Sequence, residues 1–165
     1  MAPLTLLAAQ KVASLLTTEN ALQQQIATLA AGSNMLIPTI GVGQILLSSA
    51  PPDIADKDLQ FTYPRVCIYC GVVKNTQAEK FRSFSGTVAV SSDIWASGDF
   101  ITQIDEWIHY YVEALTAILR TNLGNWGDGF FFSGRYEVKL QPPKAGGLGF
   151  VEMATVTCNL DVGIN

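Results

Sequence analysis

Hydrophobic positions change period several times along the chain, and each change marks an element. Leu4, Leu7, Ala8, Val12 and Leu15 recur at helical spacing and predict a first helix over residues 3–16. Leu22, Ile26 and Leu29 form a narrower stripe, with Thr17 or Thr18 as the expected N-cap and Gly32-Ser33-Asn34 as the stop. Periodicity then lapses through "MLIPTIGVGQILLSSAPPDIADKDLQF", where only a short strand over residues 44–48 is expected. Pro51-Pro52 and Asp53, Asp56 and Asp58 predict a long exposed loop.

Alternation begins after Tyr63. Residues 64–73 predict a strand with Val66, Ile68 and Cys70 on one face. Residues 82–91 predict a second, with Phe84, Val88 and Val90 on one face and Ser83, Ser85, Thr87 and Ser91 on the other. Over 99–120 the period returns to that of a helix, through Ile101, Ile104, Ile108, Tyr111, Leu115, Ile118 and Leu119. Asp99 is the expected N-cap of this helix, Arg120 suits its last turn, and "NLGN" ends it. Two strands close the chain. Over 130–140, Phe130, Phe132, Tyr136, Val138 and Leu140 share a face; over 150–162, Phe150, Ala154, Val156, Cys158, Leu160 and Val162 do. "QPPKAGGLG" (141–149) is expected to be a hairpin loop between them. The predicted fold class is α+β: an antiparallel four-stranded sheet covered on one face by a long helix and the N-terminal helices. A single domain is expected over 1–165, with N-terminal helices over 1–34, an extended loop segment over 35–62, and the sheet with its long helix over 63–162.

Composition shifts attention from chemistry to surfaces. Of 165 residues, 48% are hydrophobic and 15% charged, against roughly 25% charged in an ordinary soluble domain. Mean hydropathy is +0.26, yet no apolar run approaches the roughly 20 residues of a membrane-spanning helix. "MAPLTLLAAQKVASLL" has no basic start and is broken by Lys11, so it reads as a helix rather than an export signal. The net charge of −4 and scattered basic residues do not provide a duplex-binding face, which needs clustered Lys and Arg.

No catalytic, metal or cofactor site emerges. Cys67-x-x-Cys70 falls inside a strand, where the two side chains point to opposite faces; a structural zinc site needs four ligands. Plain core cysteines are expected at both positions. His109, the one histidine, borders the apolar stripe of the long helix without a recognisable carboxylate partner. The Asp53, Asp56 and Asp58 set lacks the glycine and terminal glutamate of a calcium loop, and Gly41-Val-Gly43 lacks the third glycine of a dinucleotide fingerprint. A pocket between helix and sheet, lined by Trp107, Tyr111 and Phe132, would make the chain a small-molecule-binding domain.

Aromatic placement points elsewhere. If Phe130 and Phe132 face the helices, Phe131 faces away, with Trp126, Tyr69, Val151 and Met153 expected to add apolar weight to that outer face. A clustered apolar patch on a low-charge chain suggests burial between subunits; the competing reading is a second layer supplied by residues 35–62.

The strand "YPRVCIY", the strand "FRSFSGTVAVSSDI" with its F-x-G-x-V pattern, the helix "ITQIDEWIHYYVEALTAILR" and the final alternating pair resemble the tail-terminator (tail-completion) proteins of long-tailed bacteriophages. The resemblance covers residues 61–165. It implies a non-enzymatic virion protein, made in the host cytoplasm, that forms a ring, usually hexameric, at the head-proximal end of the tail. Such a ring ends tube polymerisation and joins the tail to the neck. Its implied partners are other copies of itself, the tail tube protein and neck or connector proteins, with genome DNA crossing the lumen unbound. Another head–tail connector, neck or tail component is the nearest alternative. Expected interface residues are Trp126, Phe131, Pro142, Pro143, Lys144, Pro51 and Pro52. Phe131→Asp is expected to weaken assembly and leave the monomer folded.

Overall fold

A computed structural model describes residues 2–48, 62–77, 79–146 and 149–165. Two helices lead, α1 (Leu4–Thr17) and α2 (Ala21–Ser33). Strands β1 (Ile45–Leu46), β2 (Arg65–Asn75) and β3 (Phe84–Gly98) follow, then the long helix α3 (Ile101–Thr121). Strands β4 (Gly124–Gly127), β5 (Phe130–Leu140), β6 (Lys144–Gly146) and β7 (Gly149–Ile164) complete the chain.

The expected four-stranded antiparallel sheet is overturned. The strands form one seven-stranded mixed sheet in the order β1-β2-β3-β7-β5-β4, with β6 also paired to β7, curled into a half-barrel. It is mixed because β1 runs parallel to β2, joined to it at Val66 and Cys67. The four periodic segments are its long members β2, β3, β7 and β5. Beside them lie three strands too short to show a period. One is the two-residue β1, another the Gly-Asn-Trp-Gly strand β4, and the third is β6, inside the segment read as a loop. Strand β3 also runs on to Gly98, past the expected end at 91. Adjacent polar residues, Ser92 facing in and Asp93 facing out, interrupt the alternation there, and both are buried.

One face of the sheet carries the core. Val66, Ile68, Val88, Val90, Ile94, Ala154, Val156, Cys158, Leu160, Phe130 and Phe132 meet Ile108, Tyr111, Leu115 and Leu119 of α3. Ala8, Val12 and Leu16 of α1 and Leu22 and Ile26 of α2 join the same cluster. Ile37 and Ile40 join it too, and Tyr111 Oη donates to the Pro38 carbonyl at 2.7 Å. Residues 35–40 therefore pack with the helices and add nothing to the outer face. Burying a Leu, Ile or Phe side chain stabilises by roughly 1.5–3 kcal/mol, so this face dominates folding.

Helix ends differ from expectation. Thr17 and Thr18 donate back to the carbonyls of Ala13 and Ser14, at 2.9 and 2.6 Å, instead of capping α2. Glu19 and Asn20, both left-handed (φ 53° and 56°), make the turn between the helices. Phe100, without a side-chain cap, precedes α3, so Asp99 is not its N-cap. At the other end Asn122 Nδ2 donates to Ile118 O at 2.8 Å, and the Trp126 indole donates to Asn122 O at 2.7 Å. These satisfy carbonyls that a helix leaves open.

Candidate functional site

Alternation along β3 and β7 turns residues 85, 87, 89, 91, 93 and 95 outward, opposite 163, 161, 159, 157, 155 and 153. The outer face they form is mostly polar. Ser91 and Thr157 hydroxyls share a 2.9 Å hydrogen bond, Thr155 Oγ1 donates to Asp93 Oδ1 at 2.7 Å, and Arg135 pairs with Asp161 at 2.8 Å. Burial pushes the Asp93 carboxyl up, and hydrogen bonds from Thr155 and Tyr69 partly offset this. The Cys67 thiol is also pushed up by burial, against the pull of neighbouring Arg65. At one end this face carries a small apolar cluster of Cys67, Trp95 and Val151, flanked by Tyr63 and Met153. Val151 and Met153 thus lie where expected but largely cover one another, around a Trp95 that no periodicity marked.

At the opposite end stands Phe131, across from Asp161 and 49% exposed. It lines a cleft of about 340 Å³ with Thr76, Arg82, Thr87 and Val162. Arg82 pairs with Glu79, and its guanidinium lies so close over Gly163 that a Cβ there would collide with it. Trp126 does not share this surface. Asn125 is the residue opposite Phe131, so the next side chain points to the inner face. Trp126 packs on Phe132 with centroids 5.1 Å apart, and its carbonyl accepts from Lys11 Nζ at 2.8 Å. It seals the flank of the core and ties it to α1.

The proline-rich segment is folded back. Gln141 N–H donates to Met153 O at 3.0 Å, and after Pro142 and Pro143 the chain pairs again, Lys144 with Val151. The two prolines lie between β5 and β6, outside both strands, where a missing N–H breaks no ladder. A free arm reaching into a neighbour is therefore not what residues 141–146 form. Pro51, Pro52, Asp53, Asp56 and Asp58 lie outside the described residues.

Cys67 and Cys70 point to opposite faces, the first buried and the second half-buried, and both are free thiols. Cys158 is free as well, its thiol pushed up to about 12 by burial. Among the described residues no three His, Cys, Asp or Glu side chains are grouped to hold a metal. His109 is exposed on α3, and Gly41 to Gly43 belong to a short 3₁₀ turn. The supposed pocket residues Tyr111 and Phe132 are completely buried and fill the space between helix and sheet. No helix among the described residues is long and apolar enough to cross a membrane.

Two features escaped the sequence reading. Glu152 is 96% buried on the inner face, beside the Asp105 carboxyl of α3; the residue is 4% exposed. Burial, reinforced by Asp105, lifts its pKa to about 7. The visible signal was a carboxylate at an inward position between Phe150 and Ala154. The second feature is the state of the sheet's flanks. Strand β2 pairs with β1 only at Val66 and Cys67, and β5 pairs with β4 only at residues 130–132. Beyond those points, residues 68–75 and 133–140 have no second strand beside them among the described residues. Large apolar side chains are exposed there: Val72 (48%), Val73 (40%) and Leu140 (50%).

Comparison of the sequence with protein-family models finds no match, and comparison with curated proteins finds none.

Proposed function

We propose that this chain is a tail-terminator protein of a long-tailed bacteriophage, a structural component of the virion with no enzymatic role. Copies form a ring at the head-proximal end of the tail, end tube polymerisation and join the tail to the neck. The observation that carries this reading is the apolar surface of the flanks and outer face. Val72, Val73, Phe131 and Leu140 are exposed on strands of a chain that is only 15% charged, and such surface on a sheet calls for a protein partner. Support also comes from the order β2, β3, α3 and the later long strands β5 and β7, which fall within the span of the family resemblance. A net charge of −4 suits a channel through which DNA passes, since a basic lumen would hold the phosphates.

Purified chain mixed with polymerising tail tube protein tests the reading directly. Electron microscopy is expected to show tubes of limited length, each with added density at one end. Tubes of unchanged length and bare ends at every ratio would contradict it.

A further inference from the structure

The two open flanks fit one another. We infer that the ring closes by strand addition, the free stretch of β2 in one copy pairing antiparallel with the free stretch of β5 in the next. The inference rests on the ring reading and specifies its interface.

The geometry follows from the topology of the sheet. The stretches with no outer strand among the described residues, 68–75 and 133–140, have equal length and lie on opposite flanks of one sheet. Strand direction alternates through β2, β3, β7 and β5, so placing β5 of another copy against β2 continues the antiparallel pattern. An exposed row of backbone N–H and C=O groups is a template for such pairing. Since each copy offers one donor flank and one acceptor flank, the contact is heterologous and can close a ring.

Side chains choose the register. Ile68 and Cys70 turn toward the inner layer on β2, and Tyr136, Val138 and Leu140 do so on β5. Beside β2 lies a groove of about 250 Å³, lined by Leu6, Ala9, Leu47, Ile68 and Cys70. Leu140, half exposed in the single chain, enters this groove when it stands opposite Ile68. Val138 then faces Cys70. Past Cys70 the Gly71 bulge offsets β2 by one residue, so Tyr136 meets Val73, the next inward residue. Three apolar pairs then extend the core layer across the junction, which a slip of one residue would turn to the wrong face.

Cys70 makes the pairing measurable. In one chain, β2 and β5 are separated by β3 and β7, about 14 Å at the usual strand spacing, too far for a disulfide. Val138→Cys, mildly oxidised at the concentration where the wild type is assembled, is expected to give a ladder of covalent oligomers. Adding Cys70→Ser should abolish the ladder, and Glu137→Cys, on the opposite face of β5, should not produce one. Ile68→Cys with Leu140→Cys gives a second, independent pair. Oligomers that form normally while neither pair cross-links would overturn the inference and leave the ring reading standing. Absence of any oligomer, alone or with tube protein, would remove both.

Discussion

The central strands and the flanking strands of the same sheet are built differently. Strands β3 and β7 pair with each other over fifteen positions, Phe84–Gly98 against Phe150–Ile164, and each has another strand on its far side. Their inward residues Val88, Val90, Ile94, Ala154, Val156 and Leu160 are fully buried. Strands β2 and β5 start in the same manner, with Val66, Ile68, Phe130 and Phe132 buried, and then have no outer strand among the described residues. Residues 71–76 are exposed, and residues 133–139 alternate between exposed and half-buried. Both flanking strands are also irregular where they come free: Gly71 is an extra residue on β2, and Ser133, Gly134 and Arg135 stand opposite Asn159 alone. Bulges twist a strand edge and limit indiscriminate pairing. Stability is thus concentrated in the middle of the sheet, and exposed apolar surface at its sides.

Mutations should separate these two roles. The largest loss of stability is expected from Leu160→Ala, which empties a fully buried position on β7. A cost of about 2–5 kcal/mol should appear as a lowered midpoint in urea. A smaller effect comes from Glu152, whose value of about 7 in the fold stands above the ordinary 4.5. Between those pH values the folded chain keeps a proton that the unfolded chain has released, so stability falls as pH rises through that window. Glu152→Gln should remove this slope and raise Tm at pH 8; an unchanged pH profile would show that Glu152 is ionised in the fold. The smallest effects on the monomer are expected at Val73→Glu and Phe131→Asp, within about 0.5 kcal/mol, as for surface positions generally. Val73→Glu should abolish assembly, because it places a charge in the strand junction. Phe131→Asp should weaken assembly through the outer face. Normal assembly of either variant, read by mass in solution, would remove that residue from the interface.

Legibility from sequence follows the same division. The helix α3 and strands β2, β3, β5 and β7 were readable because one face of each is buried and the period survives. Ser92 and Asp93 hid the second half of β3 because a polar residue was accommodated inside the core layer. The short strand expected over residues 44–48 is β1, but nothing in its sequence shows that it joins the sheet; strands β4 and β6 owe their existence to a neighbour and not to a pattern of their own, so the sheet looked smaller than it is. Simple alternation predicts Phe131 on the outer face, and it stands there. Trp126, expected on the same face, turns inward, since its direction depends on the Asn125–Phe131 register across a glycine-rich turn. The open flanks were invisible for a general reason: a strand's sequence shows which face it buries, but not which of its two edges lacks a partner.

The mass of the protein in solution at high concentration, alone and mixed with tube protein, tests the central claim most directly when paired with electron micrographs of the same samples. Closed rings of one copy number, free or seated on tube ends, are the predicted result, with Val73→Glu monomeric beside them. A wild-type chain that stays monomeric in both samples and leaves the tubes uncapped would contradict the account.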